Sequence, residues 1–581
     1  MAVALALVTG AALARPGAGH GALTPDAQAI GAAATSGRAG LVRDPASLVN
    51  PFIGTAGAAN DFPGADAPFG MVQWSPDTTS RPEGGGYLYS DSRITGFSLT
   101  HLSGPGCKAE GDVPVLPTTG PVPSAAVSAT AADGFSHATE SADAGYYKVG
   151  LSNGVAAELT ATARTGMARF GFPPGSQANL IFKLDGSQDA DTATSFTAVS
   201  DTEAAGSVTS GGFCGSHNRY TLYFVMEFSQ PFASSGTFFP GDGAGKQGPS
   251  SAYLTFLPEP GRPLLAKVGV SYVSVAGAAG NLAAENRGWN FDATKNATHA
   301  AWNRLLGRVR VGGGSVASQQ VFYTALYHAL LHPNVFSDAD RRYRGADGRV
   351  HTVDQGHAAF YTNDSGWDIY RSQAQLEALL DPAAASDAAQ SMLDDDAQDG
   401  MLPKWAQDNG EAYEMAGDPA DAILADYRAF GARDFDARRA LADMVAQATT
   451  PGDIRPGLGY LRRLGYLPVD GRYGCCGYYG SVSATLEYAT ADFAISVLAG
   501  DLGERGLARE FARRAQDWRN LLNPASGFFQ PRDADGSWAT GFRPAGHTGF
   551  VEADSWIYTG MVPFDVAGLA AAKGGRLAMA A

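Results

Sequence analysis

A glutamate near the C-terminal end of this chain is embedded in an apolar word. In GFVEADSWIYTGMVPFDV (Gly549–Val566), Glu552 is flanked by Phe550, Val551 and Trp556. Apolar surroundings disfavour a charged carboxylate, so such a group holds its proton near neutral pH and can donate it. The plainer reading is a glutamate at a helix N-terminus that complements the dipole. A second word, SGWDIYRSQ, sets Trp367, Asp368 and Arg371 at the start of a helical stretch. Asp368 and Arg371 are three residues apart, close enough to pair on one helical face. A third, THLSGPGCKAEGDVP (Thr100–Pro114), puts three glycines after His101. A lone histidine is most often a satisfied structural one.

Other matches to chemical motifs fail on context. GAGKQG (Gly243–Gly248) fits GxGxxG by letter but lies in a Gly/Pro-rich stretch with no helix after it. GLSNG (Gly150–Gly154) fits GxSxG, yet its Asn-Gly reads as a hairpin turn. There is no P-loop and no HExxH, and the four cysteines lack zinc-site spacing. Cys107 and Cys214 both fall in the N-terminal half and are read as a bridge, whereas Cys475 and Cys476 are adjacent in the loop word RYGCCGYYGS.

These residues must be positioned by two kinds of element. Val49–Thr78 carries four glycines and four prolines, too many for a helix, as in tight β-structure with close backbone approaches. Ala144–Phe172 alternates apolar and polar positions around Asn153-Gly154. Asn179–Asp185, Arg219–Ser229 and Leu264–Ser274 repeat that texture, which predicts a two-layer β-sandwich. The period then becomes helical in Ala293–Val309 and Ser318–Pro333. Further helical stretches follow near Ile369–Leu380, Ala383–Asp394, Ala420–Phe430, Asp436–Thr449, Val482–Gly500, Gly506–Leu522 and Tyr558–Lys573. In Ser483–Ala494, Glu487 and Asp492 have apolar partners and read as hydrogen-bonding groups beside the core.

At 581 residues the chain needs more than one core. A formal net charge of −16 without a basic run excludes nucleic acid and anionic membrane surfaces as partners. The first residues, MAVALALVTGAALARPGAG, resemble a signal-peptide core ending in Ala12-Leu13-Ala14, although the basic leader is missing. The run is too short to span a bilayer, so export is expected.

The words PFIGT, FPGA, GFSLTHLSGPGC and SGWDIYRSQ together closely resemble glycoside hydrolase family 92, the calcium-dependent exo-α-mannosidases, from about Leu48 to the last residue. The resemblance implies a multidomain α and β fold: an N-terminal β-sandwich (45–284), a helical linker (285–317) and an (α/α)6 catalytic toroid (318–581), after a leader (1–44). With about eight helices expected after 317, where six hairpins need twelve, the toroid reads as incomplete. It implies an inverting hydrolase acting on mannose-containing glycans, with α-1,2 linkages the first expectation. Glu552 aligns with the catalytic acid. Asp368 and Trp367 resemble the pair lining the −1 subsite, where a carboxylate beside an aromatic wall suits a pyranose. Arg371 and His101 are further substrate-binding candidates. DGMLPKW (Asp399–Trp405) and EMAGDP (Glu414–Pro419) match as loop words that line the cleft or end helices, and Tyr473, Tyr478 and Tyr479 are candidates for stacking on sugars.

The chain departs from the pattern at three points. Ile557 stands where the family usually has a glutamine able to serve a metal. The Gly-Asn-Glu loop of calcium ligands and the paired-Asp general base do not occur after Glu552, where the remaining acids are Asp554 and Asp565. The metal ligands are therefore unknown, and those missing are expected beyond Ala581. Alternatives are an inactive fragment, a carbohydrate-binding remnant, or another (α/α)6 glycosidase or phosphorylase.

Overall fold

The computed structural model describes residues 40–239, 246–259, 261–474 and 479–580. The signal-like segment, the adjacent Cys475 and Cys476, Tyr478 and part of GAGKQG lie outside these residues.

From Ala65 to Ser271 the chain forms two eight-stranded antiparallel sheets packed face to face. The core between them is apolar, with Trp74, Phe97, Tyr147, Phe182 and Phe224 fully buried. The alternation near Asn153 becomes a hairpin. Tyr146–Gly150 pairs with Ala156–Ala161, and Asn153 Oδ1 accepts from the Val155 N–H at 2.9 Å. The expected close backbone approaches are real. Gly54 is left-handed (φ +91°), and a Cβ there would collide with the Asp61 carboxylate.

The helix Val275–Glu285 follows and packs on the strands Leu264–Ser271 and Tyr220–Phe228, inside the stretch expected to be β. Phe291–Leu306 then packs on the strands Ala156–Ala161 and Thr165–Gly171, and Trp302 Nε1 donates to the Asp66 carbonyl at 2.9 Å. Beyond Val316–His328 the helices alternate between two layers. Gln373–Leu380, Pro419–Phe430 and Ser481–Asp501 touch in sequence, and Pro382–Asp399, Ala437–Thr449 and Arg505–Arg514 each pack on the helix before them. The inner position of Ser481–Asp501 explains its composition, since 16 of its 21 residues are buried. The expected β-sandwich followed by a helical, toroid-like domain is therefore present.

The expected boundaries at 284 and 318 are not clean. Residues 334–362 leave the helices and return as short strands, delivering Phe336, Tyr343 and Phe360 to the sandwich core. In exchange, Ala46, Val49, Phe62 and Phe69 enter the helical core.

Candidate active site

A cavity of 570 Å³ opens where the two halves meet. The β-sandwich contributes Leu102–Cys107 and Phe213–Cys214, and the helical half contributes Asp368, Gln373, Trp405, Glu414, Tyr479 and Glu552, among others. A disulfide joins Cys107 to Cys214, as expected, with Cα atoms 5.3 Å apart. It ties the two β-domain loops into one wall, braced by Phe213 on Trp405 at a ring separation of 4.4 Å.

Asp368 sits in the one-turn helix Gly366–Ile369 with its carboxylate exposed to the cavity, where Oδ2 accepts from Ser365 Oγ. The turn before it is held by Asn363, a left-handed residue (φ +65°) that donates to Asn334 Oδ1 and accepts from the Asp408 N–H, both at 2.9 Å. Beside it, burial pushes the Asp364 carboxyl up to about 7.

Trp367 and Arg371 turn the other way and do not line the cavity. Trp367 Nε1 donates to Glu487 Oε1 at 2.9 Å, Tyr370 OH donates to Oε2 at 2.6 Å, and Arg371 Nη2 reaches Oε1 at 3.1 Å. The Arg371 guanidinium also stacks over the Trp367 ring at 4.6 Å. The ion pair of Arg371 is thus with Glu487, not with Asp368. Burial raises the Glu487 pKa, and Arg371 is the main opposing influence. The two residues anchor the turn that presents Asp368.

His101 is likewise not in the cavity wall. Its ring is fully buried in the sandwich, with Nδ1 2.8 Å from the Gln73 carbonyl and Nε2 3.4 Å from Asp77 Oδ1. Gly86 (φ +68°) makes room there, because a Cβ would strike the Asp77 carboxylate. Burial works against ionising Asp77, but Arg81, His101 and Ser98 outweigh it and hold its pKa low. The residues after His101, from Leu102 to Cys107, are the ones that reach the cavity.

Glu552 is exposed at the cavity rim, in a left-handed conformation (φ +50°). Its loop is stitched to the start of the Ser481 helix. Gly549 O accepts from the Val482 and Ser483 N–H groups, and Ser483 Oγ accepts from the Val551 N–H at 2.9 Å. The apolar enclosure expected around it is only partial, since Phe550 and Val551 are buried while Trp556 is 63% exposed and packs on Phe528. Nor is Glu552 a helix cap. Asp554 takes that role for Ser555–Tyr558, accepting from the Trp556 and Ile557 N–H groups.

Several lining residues escaped the motif reading. His332 accepts from the Ser103 N–H at Nε2 (2.9 Å), and its Nδ1 lies 2.7 Å from Asn334 Oδ1. A backbone N–H only donates, so the proton sits on Nδ1, and burial pushes the ring pKa down to about 4. The i,i+4 pair His328 and His332 was the available signal. Of the tyrosines considered, Tyr479 lines the cavity and donates to Glu414 Oε2 at 3.0 Å. Tyr473 packs on Tyr460 instead.

The described residues present no carboxylate cluster that fits a calcium ion. Among the described residues no group of three or more His, Cys, Asp or Glu side chains is arranged to hold a metal, and Ile557 is 70% exposed.

A β-sandwich and layered helices thus wall one cavity that carries the carboxylates of Asp368, Glu414 and Glu552. Residues 48–271 match the glycosyl hydrolase family 92 N-terminal domain, and residues 277–581 match the family's catalytic domain. The chain belongs to glycosyl hydrolase family 92. It is 31% identical to the family 92 α-mannosidase BT3965 from Bacteroides thetaiotaomicron, with a TM-score of 0.82 over 90% of this chain and 72% of that one. The family 92 inverting mannosidase BT2199 of the same organism is 29% identical, with a TM-score of 0.83 over 92% of this chain and 73% of that one. An uncharacterized secreted glycosidase of Arthroderma benhamiae is 25% identical over 543 residues, covering 84% of this chain. The chain spans 65% of that relative's length.

Proposed function

We propose that this chain carries the sugar-binding site and the catalytic acid of an exported exo-α-mannosidase that removes terminal α-linked mannose from glycans. One observation carries the reading: Asp368 and Glu552 open onto the same cavity, walled by both halves of the molecule. In this reading Asp368 accepts hydrogen bonds from ring hydroxyls of the terminal mannose. Glu552, at the rim, protonates the departing glycosidic oxygen, and in an inverting enzyme a second carboxylate activates water on the opposite face. α-1,2-linked mannose is the first substrate to try. Calcium assistance has no donor set among the described residues, and no step is routed through it. Export agrees with the signal-like start, and no helix among the described residues is long and apolar enough to cross a membrane.

The test is proton NMR of α-1,2-mannobiose during digestion. β-Mannose appearing first supports the reading, and no mannose binding or release overturns it. Neither Asp554 nor Asp565 is placed to be the second, water-activating carboxylate: Asp554 caps Ser555–Tyr558, and Asp565 caps Val566–Ala572 while pairing with Arg519 at 3.1 Å.

A further inference from the structure

Asp61 and His328 come from the two halves of the molecule and meet at the cavity. His328 ends the helix Val316–His328, and its ring forms part of the cavity wall. Its Nδ1 lies 3.5 Å from Asp61 Oδ2, and the other Asp61 oxygen accepts from Ser103 Oγ. The Gly54 backbone lies so near the same carboxylate that a Cβ there would strike it. A carboxylate beside Nδ1 favours the tautomer protonated there and leaves Nε2 with its lone pair. Burial lowers the His328 pKa, with Asp61 opposing.

That Nε2 is buried and has no protein partner. Among the described residues it is the one side-chain polar atom of the cavity wall that is both buried and unpaired. The neighbouring groups are engaged: His332 with Ser103 and Asn334, Gln373 with Glu377, and Glu414 with Tyr479. An unpaired buried acceptor carries a standing free-energy penalty, which a ligand donor removes.

We infer that His328 contacts the substrate directly, its Nε2 accepting a hydrogen bond from one hydroxyl of the bound mannose, with Asp61 as the positioning residue that fixes the ring. This rests on the reading of the cavity as a mannose site. The role follows from the unpaired Nε2 at the cavity wall and from the Asp61 carboxylate beside Nδ1.

The test is calorimetric binding of D-mannose and its 2-, 3-, 4- and 6-deoxy analogues to the full chain and to His328→Phe, His328→Gln and Asp61→Asn. His328→Phe should bind mannose roughly 3- to 10-fold more weakly, the range of one neutral hydrogen bond. His328→Gln, which keeps an acceptor, should recover part of the loss. One deoxy analogue should bind the wild type weakly yet lose nothing further in His328→Phe, a coupling that a structural role does not produce. Asp61→Asn should weaken mannose binding with the same analogue preference. Should His328→Phe unfold, His328→Ala removes the acceptor and is read in the same way. Wild-type mannose binding with unchanged affinity in the folded His328 variant overturns this inference alone. No mannose binding by the wild type overturns both it and the mannose reading of the cavity.

Discussion

The imidazole of His332 accepts a 2.9 Å hydrogen bond from the backbone N–H of Ser103, joining the helical half to the loop that walls the cavity. The bond requires a neutral ring, and burial supplies one by pushing the pKa down to about 4. Above pH 6.5 folded and unfolded chains carry the same charge at this site. As pH falls from 6.5 through 4, the unfolded chain takes up the proton first and stability is lost. The size of the shift corresponds to about 3 kcal/mol. In His332→Gln, urea unfolding between pH 7 and 4 should show a pH dependence weaker by about that amount. An unchanged pH dependence refutes the assignment.

Glu552→Gln should leave folding intact, because the side chain is exposed and no cap depends on it. Turnover of α-mannobiose should fall by ~10²–10⁴-fold. An aryl mannoside with an acidic phenol as leaving group needs less protonation and should be affected far less. Equal losses on both substrates would argue against an acid role.

Glu487 gathers Trp367, Tyr370 and Arg371, so Arg371→Ala leaves a buried carboxylate short of its cation. Removing one partner of a buried pair costs about 3–5 kcal/mol, and Arg371 is partly exposed, which puts the expected loss below that range. Adding Glu487→Gln should restore part of the lost thermal stability. Additive losses in the double variant would show that the two residues do not couple.

The Cys107–Cys214 bridge closes a loop of 107 residues and forms cavity wall. Cys107→Ser with Cys214→Ser should therefore do two things. It should lower stability by about 2–4 kcal/mol, and it should weaken mannose binding more than a remote destabilising change of equal size. Calorimetry on the oxidised and reduced protein separates the two effects.

Glu110 is buried where the halves meet, and burial, then Asp112, push its carboxyl up to about 8. The folded state favours the neutral acid, so this group's contribution to stability is fully present below pH 4.5 and is lost as pH rises from there through about 8. Glu110→Gln should flatten a plot of Tm against pH between 4.5 and 8. A steeper decline over that range would contradict the shift.

Element type was legible because periodicity reports burial on one face, as at Ala144–Phe172 and Ala437–Thr449, where Ala437, Ala440, Leu441, Met444 and Ala448 are the buried positions. The helix Val275–Glu285 was missed: its run of alanine and glycine follows a strand without a break in polarity. Asp368 and Glu552 stand in distinctive words, and both line the cavity. Trp367, Arg371 and His101 stand in equally distinctive words, yet their side chains point to Glu487 and Asp77. A motif fixes neighbourhood, while side-chain direction depends on partners outside the word, more than a hundred residues away for Trp367 and Arg371. His328 and His332 were hidden because their helix reads as ordinary amphipathic packing.

The chain crosses between its halves more than once. Phe336, Tyr343 and Phe360, numbered within the helical half, are buried in the sandwich, while Phe62 and Phe69 from the other side fill the helical core. Such interleaving works like a dovetail joint. A rigid-body opening of one half against the other would have to pull aromatic rings out of two cores at once, so whatever the cavity binds must enter and leave through its mouth rather than by a parting of the halves.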